Sequence, residues 1–358
     1  MEFGVFAVPF RLPETSLADG LKWDVQVTRW AEEYGLHEAW YAEHYTLGWE
    51  NTCAPELIVA AASQVTSRIR LAIGANLLPY HNPIALAHRL MQLDQMTGGR
   101  LIAGFGAGGY ETDAQLFGLP DLDERRLIAK DALDVILAIW TQPRPFKLVN
   151  AHFSVDYPPY DPFWGGPNWT SHQTPHPRVA VAGISAGSSS LREAGRRGFI
   201  PMSFDLAPDY LRGHWAAYAE GAAETGLTPR REDWRLFKMI FVGRSDEEAL
   251  ALATAAPVRR VFDEFVLRVY ERFGLLGSFA PGVPEDQITA DYLARNVWLV
   301  GSPDTVVDKI TRVYDELGGF GVLVTPAFDF LDDPDAFRRS LELLGREVAP
   351  RVANLGAR

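Results

Sequence analysis

Short apolar runs alternate with longer stretches of helical period from the first residues onward. Residues 3–8 read as a strand and 19–34 as an amphipathic helix; 38–42 form a second strand, followed by a helix over 55–66. The rhythm continues with a strand at 69–75, a helix at 83–96, a strand at 101–106 after the turn Thr97-Gly98-Gly99-Arg100, and a helix at 122–140. In that last helix Leu127, Ile128, Leu133, Ile136, Leu137 and Trp140 fall near helical spacing. Further strands are predicted at 178–182, 199–202, 235–242 and 319–325, each followed by a helical pattern. Such alternation implies parallel strands joined by right-handed crossovers. Eight strand–helix units favour an α/β fold of the closed (β/α)8 TIM-barrel kind over an open doubly wound sheet.

Two segments break the rhythm. Residues 144–177 are rich in proline and aromatics, including Tyr157, Tyr160, Phe163, Trp164 and Trp169, with too little periodicity for a regular element. A loop that long in a compact barrel is expected to be a lid or a binding loop, and its aromatic load argues against disorder. Residues 274–297 are the second insertion, before Ser302-Pro303-Asp304 opens a helix with serine as N-cap and proline at the first helical position. The chain therefore reads as one domain over residues 1–358 carrying two insertions.

Composition narrows the function. Of the 358 residues 47% are hydrophobic, enough for a large core, and no apolar run approaches the ~18 residues that span a bilayer. No basic segment precedes the first strand, so no targeting peptide is readable and a cytoplasmic location is the default expectation. A net charge of −12 argues against sequence-independent nucleic-acid binding, which needs basic surface. Cys53 is the single cysteine, which excludes an intrachain disulfide and multi-cysteine metal sites; it reads as a small buried packing residue.

The stretch Trp40-Tyr41-Ala42-Glu43-His44-Tyr45 places an imidazole and a carboxylate at the end of a strand. In α/β architectures the carboxyl ends of parallel strands open onto the ligand crevice, and a histidine there can move protons near neutral pH. Gly183-Ile184-Ser185-Ala186-Gly187-Ser188-Ser189-Ser190 follows the fifth strand and leads into a helix, the outline of a phosphate cradle; Arg192 would add charge if turned inward. A serine-capped helix start accounts for the same residues equally well. The run Gly104 to Gly109 has the spacing of a dinucleotide fingerprint, but three strand–helix units precede it and Asp131 lies inside a helical pattern. Its missing side chains are better suited to the approach of a flat ring. Asn76 ends the third strand, where its amide can reach a heterocycle. His172 and His176 sit in a proline-broken loop and present no metal site. With no nucleophile elbow, kinase-type loop or zinc motif, the chemistry is expected to come largely from a cofactor.

Taken in order, Phe3-Gly4-Val5-Phe6, Glu43-His44, Pro55-Glu56-Leu57, Leu77-Leu78-Pro79 with Asn82-Pro83, Leu93-Asp94-Gln95-Met96 with Gly99-Arg100, Gly104 to Gly108, Ala180 to Ser190 and Gly301-Ser302-Pro303-Asp304 resemble the bacterial luciferase-like flavin-dependent monooxygenases. The resemblance is closest to the branch containing limonene and diketocamphane monooxygenases. It implies a usually dimeric (β/α)8 barrel taking reduced FMN from a separate reductase. It puts the FMN phosphate on Ser185, Gly187, Ser188, Ser189 and Ser190, and the ring near Ala75, Asn76 and Gly106. It places His44 as the active-site histidine and Gly74-Ala75 where the luciferase has a non-prolyl cis peptide. Tyr45 and Gly106 stand where the luciferase has a second histidine and a cysteine, which makes light emission doubtful.

The expected reaction is insertion of one oxygen atom from O2 into a small apolar ketone, aldehyde or terpene through a flavin 4a-peroxide sheltered from water. His44, with Glu43 nearby, would set the protonation of the oxidant, and Phe6, Phe10, Trp49, Trp164, Trp169 and Phe328 would supply a dry substrate pocket. The rivals are a deazaflavin-dependent hydride transferase of the same superfamily, a nicotinamide dehydrogenase using the glycine run, and a flavin-binding protein without turnover.

Overall fold

The computed structural model describes residues 1–163, 170–185 and 187–357. Eight parallel strands close into a barrel in the order β1-β12-β9-β8-β7-β4-β3-β2. They are β1 (Glu2–Phe10), β2 (Glu38–Tyr41), β3 (Arg70–Leu77), β4 (Leu101–Gly106), β7 (Arg178–Gly183), β8 (Ile200–Ser203), β9 (Arg235–Phe237) and β12 (Val322–Phe328). β1 pairs with both β12 and β2, which closes the cylinder. Most of these strands are buried along their length, as expected when helices cover a parallel barrel on the outside and side chains fill it on the inside. The strands alternate with α1 (Leu17–Glu33), α2 (Pro55–Ser63), α3 (Pro83–Thr97), α4 (Glu111–Leu116), α5 (Leu122–Thr141), α6 (Ser189–Arg197), α7 (Pro208–Glu224), α8 (Asp246–Ala253), α12 (Pro303–Leu317) and α13 (Pro334–Leu343).

Sequence-encoded caps fix several of these helices. Asn82 accepts from the amides of Ile84 and Ala85 ahead of Pro83, and Gly98 closes the same helix at φ 64°. Ser302 caps α12 through the Thr305 amide with Pro303 at the first turn, as its Ser-Pro-Asp triplet predicts. At the amino ends of the strands, buried Glu38 accepts from Arg235 at 2.8 Å, Arg70 at 3.1 Å and Trp40 Nε1 at 3.0 Å. Burial pushes its carboxyl up, but the two guanidinium groups outweigh burial and hold it below the usual range. A buried carboxylate so partnered ties β2, β3 and β9 together at the floor of the barrel.

The structure corrects three readings of the chain. The strand predicted over 235–242 is broken at Lys238 and Met239: β9 stays in the barrel, while β10 (Ile240–Val242) pairs with β11 (Leu299–Gly301) in a separate two-stranded sheet. Residues 144–177 hold regular structure after all, an antiparallel hairpin of β5 (Phe146–Val149) and β6 (Ser154–Tyr157). Its exposed positions alternate with half-buried ones in β5 and buried ones in β6, as on the outside of the barrel, where only one face needs apolar residues. The last predicted strand begins later, because Gly318 and Gly319 end α12 in left-handed conformations.

The second insertion also differs. Ahead of it α9 (Ala256–Arg260), a π-helical turn (Val261–Val266) and α10 (Leu267–Arg272) follow one another directly, and within it α11 (Ala290–Asn296) is helical. π-helical turns are rare and cluster at functional sites. Among the described residues no helix is long and apolar enough to cross a membrane.

Candidate active site

At the carboxyl ends of the strands lies a cavity of about 250 Å³ whose surface is overwhelmingly apolar. Phe6 and Phe10 of β1, Trp40 of β2, Gly74, Ala75 and Leu77 of β3, and Ala180 to Ala182 of β7 contribute to its wall. The Gly74–Ala75 peptide is cis, as the resemblance implied. The roof is the helical run over residues 256–273, whose Phe262, Phe265, Val266, Val269, Tyr270 and Phe273 all face inward. Their spacing of i, i+3, i+4, i+7, i+8 and i+11 is a single helical face, with Arg259, Glu264, Arg268 and Glu271 on the other. That pattern is legible in the sequence and marks the true cover.

The described residues of the predicted lid lie elsewhere. Gln173 donates to Asp94 and to the carbonyl of Leu101, the first residue of β4, and Gln95 donates to the Thr170 carbonyl. These contacts put residues 170–177 against the amino ends of the strands, opposite the cavity. Among the described residues none from 144–177 lines it. Trp164 and Trp169 fall outside the described residues.

His44 lines the cavity just beyond β2, flanked by two carboxylates. Its Nε2 lies 3.5 Å from Glu50 Oε2 and its Nδ1 3.6 Å from Asp113 Oδ2. Burial pushes the imidazole pKa down, but Glu50 and Asp113 outweigh it and hold the value above the ordinary histidine range. Glu50 also lines the cavity; burial raises its carboxyl, while the His44 charge and the Tyr110 hydroxyl, 3.3 Å away, oppose the rise. Asp113 sits behind the ring and accepts from the Thr46 amide at 2.7 Å, the Thr46 hydroxyl at 2.6 Å and the Tyr45 amide at 3.2 Å. These bonds and His44 overcome the effect of burial and hold its carboxyl below the usual range.

Glu43, adjacent in sequence, also lines the cavity, but its carboxylate is engaged by partners other than His44. Its carboxylate takes His81 Nε2 at 2.8 Å, the Leu77 amide at 2.8 Å and the Tyr45 hydroxyl at 2.5 Å. It fastens the end of β3 to the loop after β2. Glu50 and Asp113, which lie 6 and 69 residues further along the chain, thus flank the His44 ring, and the Glu43 charge acts on it more weakly.

The other candidates divide. Ala75 lines the cavity, but Asn76 and Gly106 do not. Asn76 is wholly buried, with Nδ2 donating to the Gly104 carbonyl at 3.0 Å and Oδ1 unpartnered. Within the glycine run Gly109 faces the cavity with open space where a Cβ would stand, whereas Gly104 abuts the Ile73 carbonyl. Phe6 and Phe10 line the cavity; Trp49 and Phe328 support it from behind. Trp49 stacks on Phe265 at 6.0 Å, and Phe328 stacks on Phe10 at 5.5 Å. Cys53, expected to be buried, is exposed.

The serine loop adjoins the cavity through Ala182 and Ile184 and opens α6. Ser190 donates to the Ala182 carbonyl, so Ser188 donates to Ser190, and Ser188 also caps the Leu191 amide. Both hydroxyl protons are therefore committed within the loop, leaving the exposed Ser185 and Ser189 and the first-turn amides to meet an anion. Gly187 turns the chain at φ 66°. Arg192, which would have added charge, points outward to Glu220 and Glu224.

One set of residues escaped the sequence reading. His214 of α7 donates from Nε2 to the Ser185 carbonyl at 2.9 Å, and its Nδ1 accepts from Ser203 Oγ at 3.0 Å; Ser203 in turn accepts from Trp234 Nε1 at 2.9 Å. Because a carbonyl only accepts, Nε2 must carry a proton, so in the neutral ring Nδ1 takes the serine proton. Burial lowers the His214 pKa accordingly. Nothing in the local sequence around His214 signals this role, since its partners come from β8 and from the residue before β9.

Comparison with known proteins agrees with this geometry. The family model described as luciferase-like monooxygenase matches residues 1–319. The chain is 32% identical to 2,5-diketocamphane 1,2-monooxygenase 1 of Pseudomonas putida, covering 98% of this chain and 99% of that protein. It is 29% identical to limonene 1,2-monooxygenase of Rhodococcus erythropolis over 100% of this chain and 88% of the relative. Among solved structures, the oxygenating constituent of 3,6-diketocamphane monooxygenase of Pseudomonas putida, a type II Baeyer–Villiger monooxygenase in complex with FMN, superposes with a TM-score of 0.92 at 33% identity, covering 98% of both chains.

Proposed function

This chain belongs to the luciferase-like monooxygenase family and is a flavin-dependent monooxygenase; on that premise we propose that it takes reduced FMN from a separate flavin reductase and inserts one atom of O2 into a small apolar organic substrate. The observation that carries the reading is a histidine held between two carboxylates on the wall of an otherwise apolar, roofed cavity.

The residues present fit FMN. The cavity offers a flat ring apolar walls and the open face at Gly109, and it runs through Ile184 to a helix start whose free amides suit a phosphate. In this reading Ala75 and Gly109 border the ring, and the amides of Gly187 and Ser189 with the Ser185 and Ser189 hydroxyls hold the phosphate. Bound reduced FMN would supply the electrons that activate oxygen.

The chain's own residues then do three things. The aromatic roof and walls exclude water, which favours oxygen transfer over loss of hydrogen peroxide. His44, whose protonated form its carboxylates favour, would hold a proton at Nε2, the edge it shares with Glu50, which also lines the cavity. Neither nitrogen is locked into a short hydrogen bond, so that proton is free to be given to a reacting oxygen and taken back. Asp113 orients the ring from behind and stabilises its positive charge.

The test is product analysis by mass spectrometry with reduced FMN, 18O2 and a panel of cyclic ketones, aldehydes and terpenes. A product carrying one labelled oxygen atom is expected. Oxygen consumption with peroxide as the sole product across the panel, or flavin-free protein that binds no FMN, would overturn the reading.

A further inference from the structure

Tyr270 brings a hydroxyl into the cavity from the roof. Of the other side-chain donors on the cavity wall, Trp40 Nε1 donates to Glu38 at 3.0 Å and Tyr110 to Glu50 at 3.3 Å, while His44, 3.5 Å from Glu50, is the one assigned above to the reacting oxygen. Among the described residues the Tyr270 hydroxyl donates to no protein atom; its surroundings act on it through burial and through the charges of Asp205 and Glu50 alone. Asp205, whose charge acts on it most strongly, is turned to Lys238 Nζ at 2.5 Å and the Met239 amide at 3.1 Å. The phenol ring is held in place by Phe279, with centroids 4.4 Å apart. Burial and the neighbouring carboxylates push its pKa up, so it remains a donor at any physiological pH.

A fixed donor with no protein acceptor favours an occupant that brings one, because an occupant without an acceptor would strip the hydroxyl of water and leave it unpaired. We propose that Tyr270 is a substrate-binding residue whose hydroxyl donates to a carbonyl oxygen of the substrate, so that the cavity prefers a ketone or aldehyde to a hydrocarbon of the same shape. This rests on the monooxygenase reading and narrows its substrate class. Asp205 and Lys238 follow β8 and β9, and β8 stands across the closed barrel from β2, which leads into His44. Tyr270 lines the same cavity as His44, Glu50 and Asp205, residues from both of these walls.

The test compares binding of a cyclic ketone and its exocyclic-methylene analogue, C=O replaced by C=CH2, to flavin-free wild-type protein and to Tyr270→Phe by calorimetry. The wild type is expected to prefer the ketone by roughly tenfold. Tyr270→Phe is expected to lose that preference through a ~3–10-fold loss of ketone affinity, with the alkene, FMN affinity and melting temperature unchanged. An equal loss for both ligands, no loss for either, weakened FMN binding or a lowered melting temperature would each overturn the assignment. Oxygenation with reduced FMN is scored separately: a ketone bound through Tyr270 but never oxygenated sinks the broader reading and leaves this one standing.

Discussion

His44 Nε2 lies 3.5 Å from Glu50 Oε2 across the wall of the cavity, while the adjacent Glu43 is turned to His81, 2.8 Å away. Two carboxylates close in sequence to one histidine therefore have different tasks. In the proposed reaction Glu50 supports the proton on His44, while Glu43 ties the end of β3 to the loop after β2.

The pH dependence separates them. Glu50 raises the His44 pKa, so Glu50→Gln removes that support and the imidazole loses its proton at lower pH. The alkaline limb of the pH profile for coupled product formation should move down by about one unit. Glu43→Gln should move the limb less, since the Glu43 charge acts on His44 more weakly, and should lower the melting temperature, since its buried bonds to Leu77, Tyr45 and His81 are weakened. Identical profiles for Glu50→Gln and wild type would remove Glu50 from the proton-holding role.

Two glycines of one run should behave oppositely. A Cβ on Gly104 would stand 2.1 Å from the Ile73 carbonyl, so Gly104→Ala must push β3 and β4 apart, costing about 3 kcal/mol in chemical denaturation. At Gly109 nothing lies within 4 Å, so Gly109→Ala should change stability by less than ~0.5 kcal/mol. The same substitution should weaken binding of FMN and riboflavin alike, because it obstructs the ring and not the phosphate. Unaltered flavin titrations for Gly109→Ala would place the ring elsewhere.

The serine loop separates a cap from a ligand contact. Ser188→Ala removes the helix cap and should cost about 1 kcal/mol of stability. Ser189→Ala, at an exposed hydroxyl, should leave unfolding unchanged while reducing FMN affinity and sparing riboflavin, which has no phosphate. If the two flavins respond equally to Ser189→Ala, the loop does not hold the phosphate.

The roof can be loosened without being removed. Phe265 packs between Trp49 and the cavity, and Phe265→Leu keeps an apolar side chain at a cost below about 1.5 kcal/mol. Hydrogen peroxide released per O2 consumed should rise as water gains entry. Wild-type coupling in this variant would show that the helical run over 256–273 does not seal the site.

What the chain's pattern determined is local and periodic. Eight apolar runs spaced by amphipathic helices specify a parallel barrel, because strands buried on both sides need continuous apolar residues and crossovers need helices. Caps such as Asn82 and Ser302 state where helices begin, since their side chains reach amides only two or three residues away. The same logic located His44 at a strand end and the serine loop at a helix start. Tertiary structure alone decided which groups meet there. Asp113, Tyr110 and Tyr270 come from distant elements and are brought to His44 by closure of the barrel and by the roof lying over its mouth. Closure likewise carried residues 170–177 to the opposite end of the barrel and split one apolar run at Lys238, whose ammonium is buried by pairing with Asp205. Periodicity records which side of an element is apolar; the distance between elements far apart in the chain is set by packing, which no local pattern encodes.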